Sequence, residues 1–246
     1  MRGMMAISVL VAMVLSGCDA PQSTSRQPSN AKPSETLNAL SKTETGSEEW
    51  ARAVAQRFVN VVKTVEPVAE RECRNRSPRS NCDYLIVVDD RRGRGPNAFQ
   101  TINEDGRPVI AFTLALIAEV RNADELAFVM SHEAAHHIKN HIGRQQVIGK
   151  TSADTFGALA ASIGADAEAI RTASQIGSII GGRAYSKKFE LEADYLGAQI
   201  ARAAGFDALN GAAYFTRIPD PGDQFLGTHP PNANRMQTVR RALGKR

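Results

Sequence analysis

Five consecutive residues constrain this chain more than any others: His132-Glu133-Ala134-Ala135-His136. Residues four apart on an α-helix are offset by about 40° around the axis and lie one turn apart, so a helix here sends both imidazoles out of one face, able to share a tetrahedral metal ion. With five His and fourteen Glu in 246 residues, such a pattern arises by chance in roughly 0.6% of chains. The flanking residues ask for the same helix. Asn122 can cap it, Glu125 three residues on can close a capping box, and Leu126, Val129, Met130 and Ile138 supply apolar contacts, so the predicted helix runs from 122 to about 141. Glu133 cannot join the imidazoles on the ion without strain. It sits beside them, placed to take a proton from a metal-activated water and pass it to a leaving amine. His137 and His141 fall on another face, which assigns them to solvent or to the helix C-terminal dipole.

Two ligands do not make a stable zinc site, so a third is expected from a separate element. Glu190-Leu191-Glu192-Ala193-Asp194 lies on a helix predicted over 186–204, where Glu190 and Asp194 share a face and Glu192 points about 200° from Glu190. Glu190 is therefore the expected third ligand of one zinc ion per chain. Asp194 is the expected outer carboxylate, accepting the far N–H of a ligand His. Glu192 is expected to be solvated.

HEAAH, then Glu192-Ala193-Asp194-Tyr195-Leu196-Gly197-Ala198, then His229-Pro230-Pro231 followed by Arg235, resemble in order the motifs of the HExxH zinc metallopeptidases that include the CAAX prenyl protease and the HtpX-type proteases. The resemblance covers about 48–246. It implies an α+β, mainly helical, gluzincin-like domain with a short sheet beside the active-site helix. It also implies zinc held by His132, His136 and Glu190, Glu133 as base, Asp194 behind the ligands, and His229 and Arg235 lining the cleft. The implied activity is zinc-dependent endoproteolysis of polypeptides in extended or unfolded form. His229, stiffened by Pro230 and Pro231, is open to two roles: an oxyanion donor near the scissile carbonyl, or a fourth ligand that latches a resting state by filling the metal's open position. An alternative is an envelope chaperone or assembly factor on the same scaffold, against which the intact Glu133 counts. A structural zinc in an interaction domain fits poorly, because such sites usually fill all four positions with Cys and His.

Arg2 followed by the apolar run 4–15 reads as a secretory signal peptide over 1–17, too short to span a bilayer. Leu15-Ser16-Gly17-Cys18 resembles the lipobox of bacterial lipoproteins, which makes Cys18 the expected site of a lipid anchor. Asp19 resembles the residue that retains such proteins at the inner membrane in enteric bacteria, with the outer membrane as the alternative. From 18 to 47 the chain is rich in Ser, Thr, Pro, Gln and Asn without periodic apolar positions, so a disordered tether is expected before a folded domain at 48–246. Export to an oxidising, periplasm-facing location would let Cys73 and Cys82 pair, for about 2–3 kcal/mol. Arg71, Arg74, Arg76 and Arg79 around them read as a solvated basic loop, with anionic lipid as the alternative partner.

The net charge of +4 is too small an excess to argue for nucleic acid. No window after the leader approaches the ~20 uninterrupted apolar residues of a spanning helix. Trp50, Val54, Phe58, Val61, Val62 and Val65 recur at three- and four-residue spacing, which predicts an amphipathic helix ending before Pro67. Strands are expected at 84–88, 97–102 and 109–114, the last two joined by a hairpin through Asp105-Gly106, with a helix at 113–120 following. Strand 109–114 is either an edge to which an extended peptide adds or an ordinary buried strand of the sheet. Gly177 and Gly181, in the Ala-, Gly- and Ser-rich stretch 151–182, predict close internal packing.

Overall fold

The computed structural model describes residues 33–220 and 229–244, with side chains from Ser47 onward. Two units divide at residues 45 and 46. Of the first, helical backbone is described from Pro33; apart from that stretch, everything below belongs to the second. The signal, Cys18 and Asp19 lie outside the described residues.

Helix α1 spans Pro33–Arg76, which differs from expectation at both ends. The stretch 33–47, expected to be a disordered tether, is helical; its Leu, Ala, Glu and Lys are good helix formers despite the lack of an apolar stripe. The helix also continues through Pro67, because the buried stripe of Val54, Val61 and Val65 goes on to Ala69 and Cys73. Packing of that face outweighs the one hydrogen bond that proline removes. Trp50, expected in the stripe, is 55% exposed. Cys73 and Cys82 form a disulfide. Arg74 and Arg76 lie on the helix rather than in a basic loop, paired with Glu70 and Glu72 one turn back.

Strands β1 (Leu85–Asp89), β2 (Ala98–Ile102) and β3 (Pro108–Thr113) form one sheet in the order β1-β3-β2. The β2–β3 hairpin closes as expected, with Gly106 at φ 76° and Asn103 accepting from the Gly106 and Arg107 N–H groups. Of the two readings of strand 109–114, burial as ordinary sheet is the one that holds. β3 is central, parallel to β1 and antiparallel to β2, and every residue in it is buried. A parallel partner reached over twenty residues leaves no local sequence signal; the edges of the sheet are β1 and β2, and β2 is the one along the cleft.

Thr113 caps the short helix α2 (Leu114–Glu119). α3 (Ala123–Ile138) follows, then α4 (His141–Ser162), α5 (Ala167–Ala184), α6 (Ser186–Ala203), α7 (Ala208–Ala212), a 3₁₀ turn at Ala213–Thr216, and α8 (Asn232–Ala242). The class is the expected mainly helical α+β. α4 and α5 pair closely through small residues: a Cβ on Gly181 would fall 2.2 Å from Ser152 Oγ. α3 is the buried centre, with β2 and β3 on one side and α6 and α7 on the other. Leu126, Phe128, Met130, Ala134 and Ala135 are almost fully inaccessible. α6 approaches α3 at Gly197, where a Cβ would lie 2.9 Å from the His132 Cα and backbone N. No helix among the described residues is long and apolar enough to cross a membrane.

Candidate metal centre

α3 begins where the sequence asks it to. Asn122 Oδ1 accepts from the Glu125 N–H, and Asp124 and Glu125 lie in the first turn, facing the positive end of the helix dipole. Glu125 does not complete the expected capping box. Its side chain reaches one residue further back, accepting from the Arg121 N–H, and is held by Arg217. So fixed, α3 carries His132 and His136 on the face turned toward α6.

His132 Nε2 and His136 Nε2 stand 3.0 Å apart. Glu190 Oε2 is 3.4 Å from the first and Oε1 3.4 Å from the second. Zinc ligands at about 2.0–2.1 Å in a tetrahedron are separated by about 3.3–3.4 Å, so the three donor groups fit three corners of a zinc site and leave the fourth for chemistry. Among the described residues this is the group of His, Cys, Asp and Glu able to hold a metal.

The charges around the triangle are arranged for a cation. Burial works against protonated His132, yet the adjoining Asp194 and Glu190 carboxylates outweigh it and raise its pKa to about 10. Burial and the neighbouring His132 charge hold His136 neutral, at about 3. Glu190 stays ionised: burial opposes this, but His132 and His229 lower its pKa well below the usual carboxylate range. Glu133 is pushed up to about 7, chiefly by burial and also by Glu190, against His132, Arg235 and a hydrogen bond with the Gln100 backbone. A carboxyl at about 7 both accepts and returns a proton at neutral pH.

Asp194 Oδ1 lies 2.9 Å from His132 Nδ1. Arg235, on α8, donates to Asp194 through Nε at 2.8 Å and Nη2 at 2.7 Å. Both side chains are buried, and the guanidinium lies 3.6 Å above the centre of the Phe215 ring. Its Nη2 is also 3.6 Å from Glu190 Oε2. His229 stands at the mouth, 55% exposed, with Nδ1 3.3 Å from Glu190 Oε2. These groups open on a cleft of about 760 Å³ whose walls include Asn97 to Gln100 at the β2 edge, together with Phe128, Tyr214 and Phe215.

Three assignments from the sequence are corrected. His137 is buried, with Nε2 2.7 Å from the Asn81 carbonyl and its ring edge-on to Tyr84. His141 is neither on α3 nor in solvent. The chain turns at Asn140, which is left-handed at φ 52°, so His141 opens α4 with Nδ1 2.9 Å from His136 Nδ1. Glu192 lies beyond it, 3.3 Å from His141 Nε2, and accepts from Arg144 at 2.7 Å. Asn140 was the available signal, since Asn is one of the few residues that ends helices in the left-handed region.

Comparison with known proteins gave one family and the following relatives. The model of peptidase family M48 matches residues 55–243. A Vibrio cholerae protein named as a beta-barrel assembly-enhancing protease is 35% identical over 136 residues, which cover 52% of this chain and 27% of the relative. The mitochondrial metalloendopeptidase OMA1 of Schizosaccharomyces pombe is 25% identical over 150 residues, covering 58% of this chain and 42% of that protein. The chain thus matches less than half the length of either relative.

Proposed function

This chain belongs to peptidase family M48, and from that premise we propose that it is a zinc-dependent endopeptidase of the bacterial cell envelope, acting on misfolded or unassembled envelope proteins. The observation that carries this reading is the His132–His136–Glu190 triangle with Glu133 beside it, at the floor of a cleft walled by a sheet edge.

His132, His136 and Glu190 would hold zinc, which would there supply Lewis acidity to a scissile carbonyl and to an attacking water. Glu133 takes the proton of that water and delivers it to the leaving amine nitrogen. Asp194, clamped by Arg235, fixes the His132 ring from behind, so Arg235 acts through Asp194 rather than on substrate. An extended peptide adds to the free edge of β2, which presents its backbone along the cleft; that mode reads length and extension before side chains, and suits unfolded clients. His229 acts as a resting-state latch at the mouth, held by Glu190.

Placement in the envelope rests on the signal over 1–17, the lipobox at Cys18, the disulfide and the name of the Vibrio cholerae relative. In this reading a lipidated segment follows the signal and the peptidase unit begins near residue 46. Asp19 favours the inner membrane. Mass spectrometry of the protein taken from envelopes checks the anchor: an unacylated N-terminus beginning after Cys18 overturns it.

The test of activity is digestion of casein by the purified chain with and without chelator, alongside Glu133→Gln. Chelator-sensitive cleavage is expected, with a loss on the order of 10²–10⁴ in the variant while zinc stays bound. Near-native turnover by Glu133→Gln overturns the assignment of the base.

A further inference from the structure

The two imidazoles of the centre are mounted differently. His132 has a carboxylate directly behind it, whereas His136 meets another imidazole, His141, at 2.9 Å between their Nδ1 atoms. His141 is buried and lies flat on the Phe189 ring, 4.5 Å between centres and 10° between planes. Its far nitrogen, Nε2, is 3.3 Å from Glu192 Oε2. Arg144 donates to both oxygens of Glu192, at 2.7 and 3.4 Å, and sits 4.3 Å over Phe189.

The direction of the protons in this chain follows from valence. A neutral imidazole carries one N–H. With His136 Nε2 facing the other donor atoms, its proton belongs on Nδ1 and is donated to His141 Nδ1. His141 must then accept at Nδ1 and keep its own proton on Nε2, where Glu192 accepts it. Glu192 can only accept when ionised, and Arg144 keeps it so. Reversing the chain would put a proton on His136 Nε2, in the middle of the donor triangle.

We propose that His141, Glu192 and Arg144 form a positioning relay that locks His136 in its metal-binding tautomer and ring orientation, and so help set the affinity of the centre for zinc. The relay is the counterpart of the Asp194–Arg235 clamp behind His132. In both, a carboxylate of α6 fixed by an arginine of another helix stands behind a ligand imidazole. Outer partners of this kind typically contribute 10–100-fold to metal affinity.

The inference rests on reading His136 as a ligand, and the experiment separates the two. Zinc dissociation constants are measured by chelator competition on the full mature chain, for the unchanged protein and for His141→Phe, His141→Gln and Glu192→Ala. His141→Phe keeps the ring on Phe189 but accepts nothing. Gln accepts through Oε1 in place of His141 Nδ1 and donates through its amide nitrogen in place of His141 Nε2, rebuilding the relay. About 10–100-fold weaker zinc binding is expected for His141→Phe, recovery to within a few-fold for His141→Gln, and an intermediate loss for Glu192→Ala. In ¹⁵N spectra of the zinc-loaded chain, the His136 Nδ1–H signal should shift in His141→Phe and return in His141→Gln. Unchanged affinity in both His141→Phe and Glu192→Ala, or equal losses in His141→Phe and His141→Gln, overturns the relay. Should His141→Phe fail to fold, Glu192→Ala at the half-exposed end decides alone: native affinity refutes the relay. An unchanged protein that takes up no zinc defeats the metal-centre reading itself.

Discussion

Gly197 meets the backbone of His132 so closely that a methyl group in place of its hydrogen would lie 2.9 Å from His132 Cα. The neighbouring atoms are main chain of a buried helix and cannot step aside. Gly197→Ala is therefore expected to push α6 from α3, costing about 1–3 kcal/mol and widening the gap between Glu190 and the two imidazoles. Thermal unfolding with and without chelator checks this. Both melting temperatures should fall, and the difference between them should shrink; an unchanged difference would mean that helix separation does not set the ligand geometry.

A second expectation concerns protons. His132, raised to about 10, is charged at neutral pH before metal enters, whereas His136, held near 3, is already neutral. A ligand imidazole must be neutral, so zinc displaces the His132 proton. Because the displaced group has a raised pKa, apparent zinc affinity should rise with pH throughout the range below about 10, by about tenfold per unit between pH 6 and 8. Calorimetry in buffers of different ionisation enthalpy should record about one proton released per zinc, and more if Glu133 also ionises. A flat affinity across that range would contradict the charge assigned to His132.

Removing one partner of a buried ion pair leaves the other desolvated and unpaired. Asp194→Asn is expected to cost about 3–5 kcal/mol in urea unfolding. The solvent-exposed pair of Arg52 and Glu48 provides the comparison, since Glu48→Gln should cost less than about 0.5 kcal/mol. Equal losses would show that Arg235 gains nothing from Asp194.

His229→Ala is expected to raise basal casein cleavage, because the proposed latch holds this ring at the cleft mouth, 3.3 Å from Glu190 Oε2. A fall on the order of 10²–10³ would instead make it an oxyanion donor. An unchanged rate would remove it from the machinery altogether.

What could be read from the sequence was local. His132, Glu133 and His136 follow from one helical turn, Glu190 and Asp194 from another, and the β2–β3 hairpin from Asp105-Gly106. What failed depended on where separate segments meet. β3 became central because β1 pairs with it in parallel from more than twenty residues away. His141 was misread because a continuous helix was carried past Asn140; on an unbroken helix its ring could not have faced His136, and after the left-handed turn it does. Glu192 was misread for the same reason in reverse: its angle on α6 was correct, but α4 lies on that side too. Helical periodicity says which way a side chain points and nothing about what waits there.

The pairing of Asp194 with Arg235 also fixes an order of events in making the molecule. The two are 41 residues apart in the chain, and every donor of the metal triangle precedes both. A polypeptide synthesised from its N-terminus thus presents His132, His136 and Glu190 well before the guanidinium that pairs with the carboxylate behind His132. Before α8 docks, protonated His132 is the charged partner within reach of Asp194, and the clamp behind its ring is still incomplete. A chain with every ligand already made is therefore still missing the arginine that holds one of them from behind.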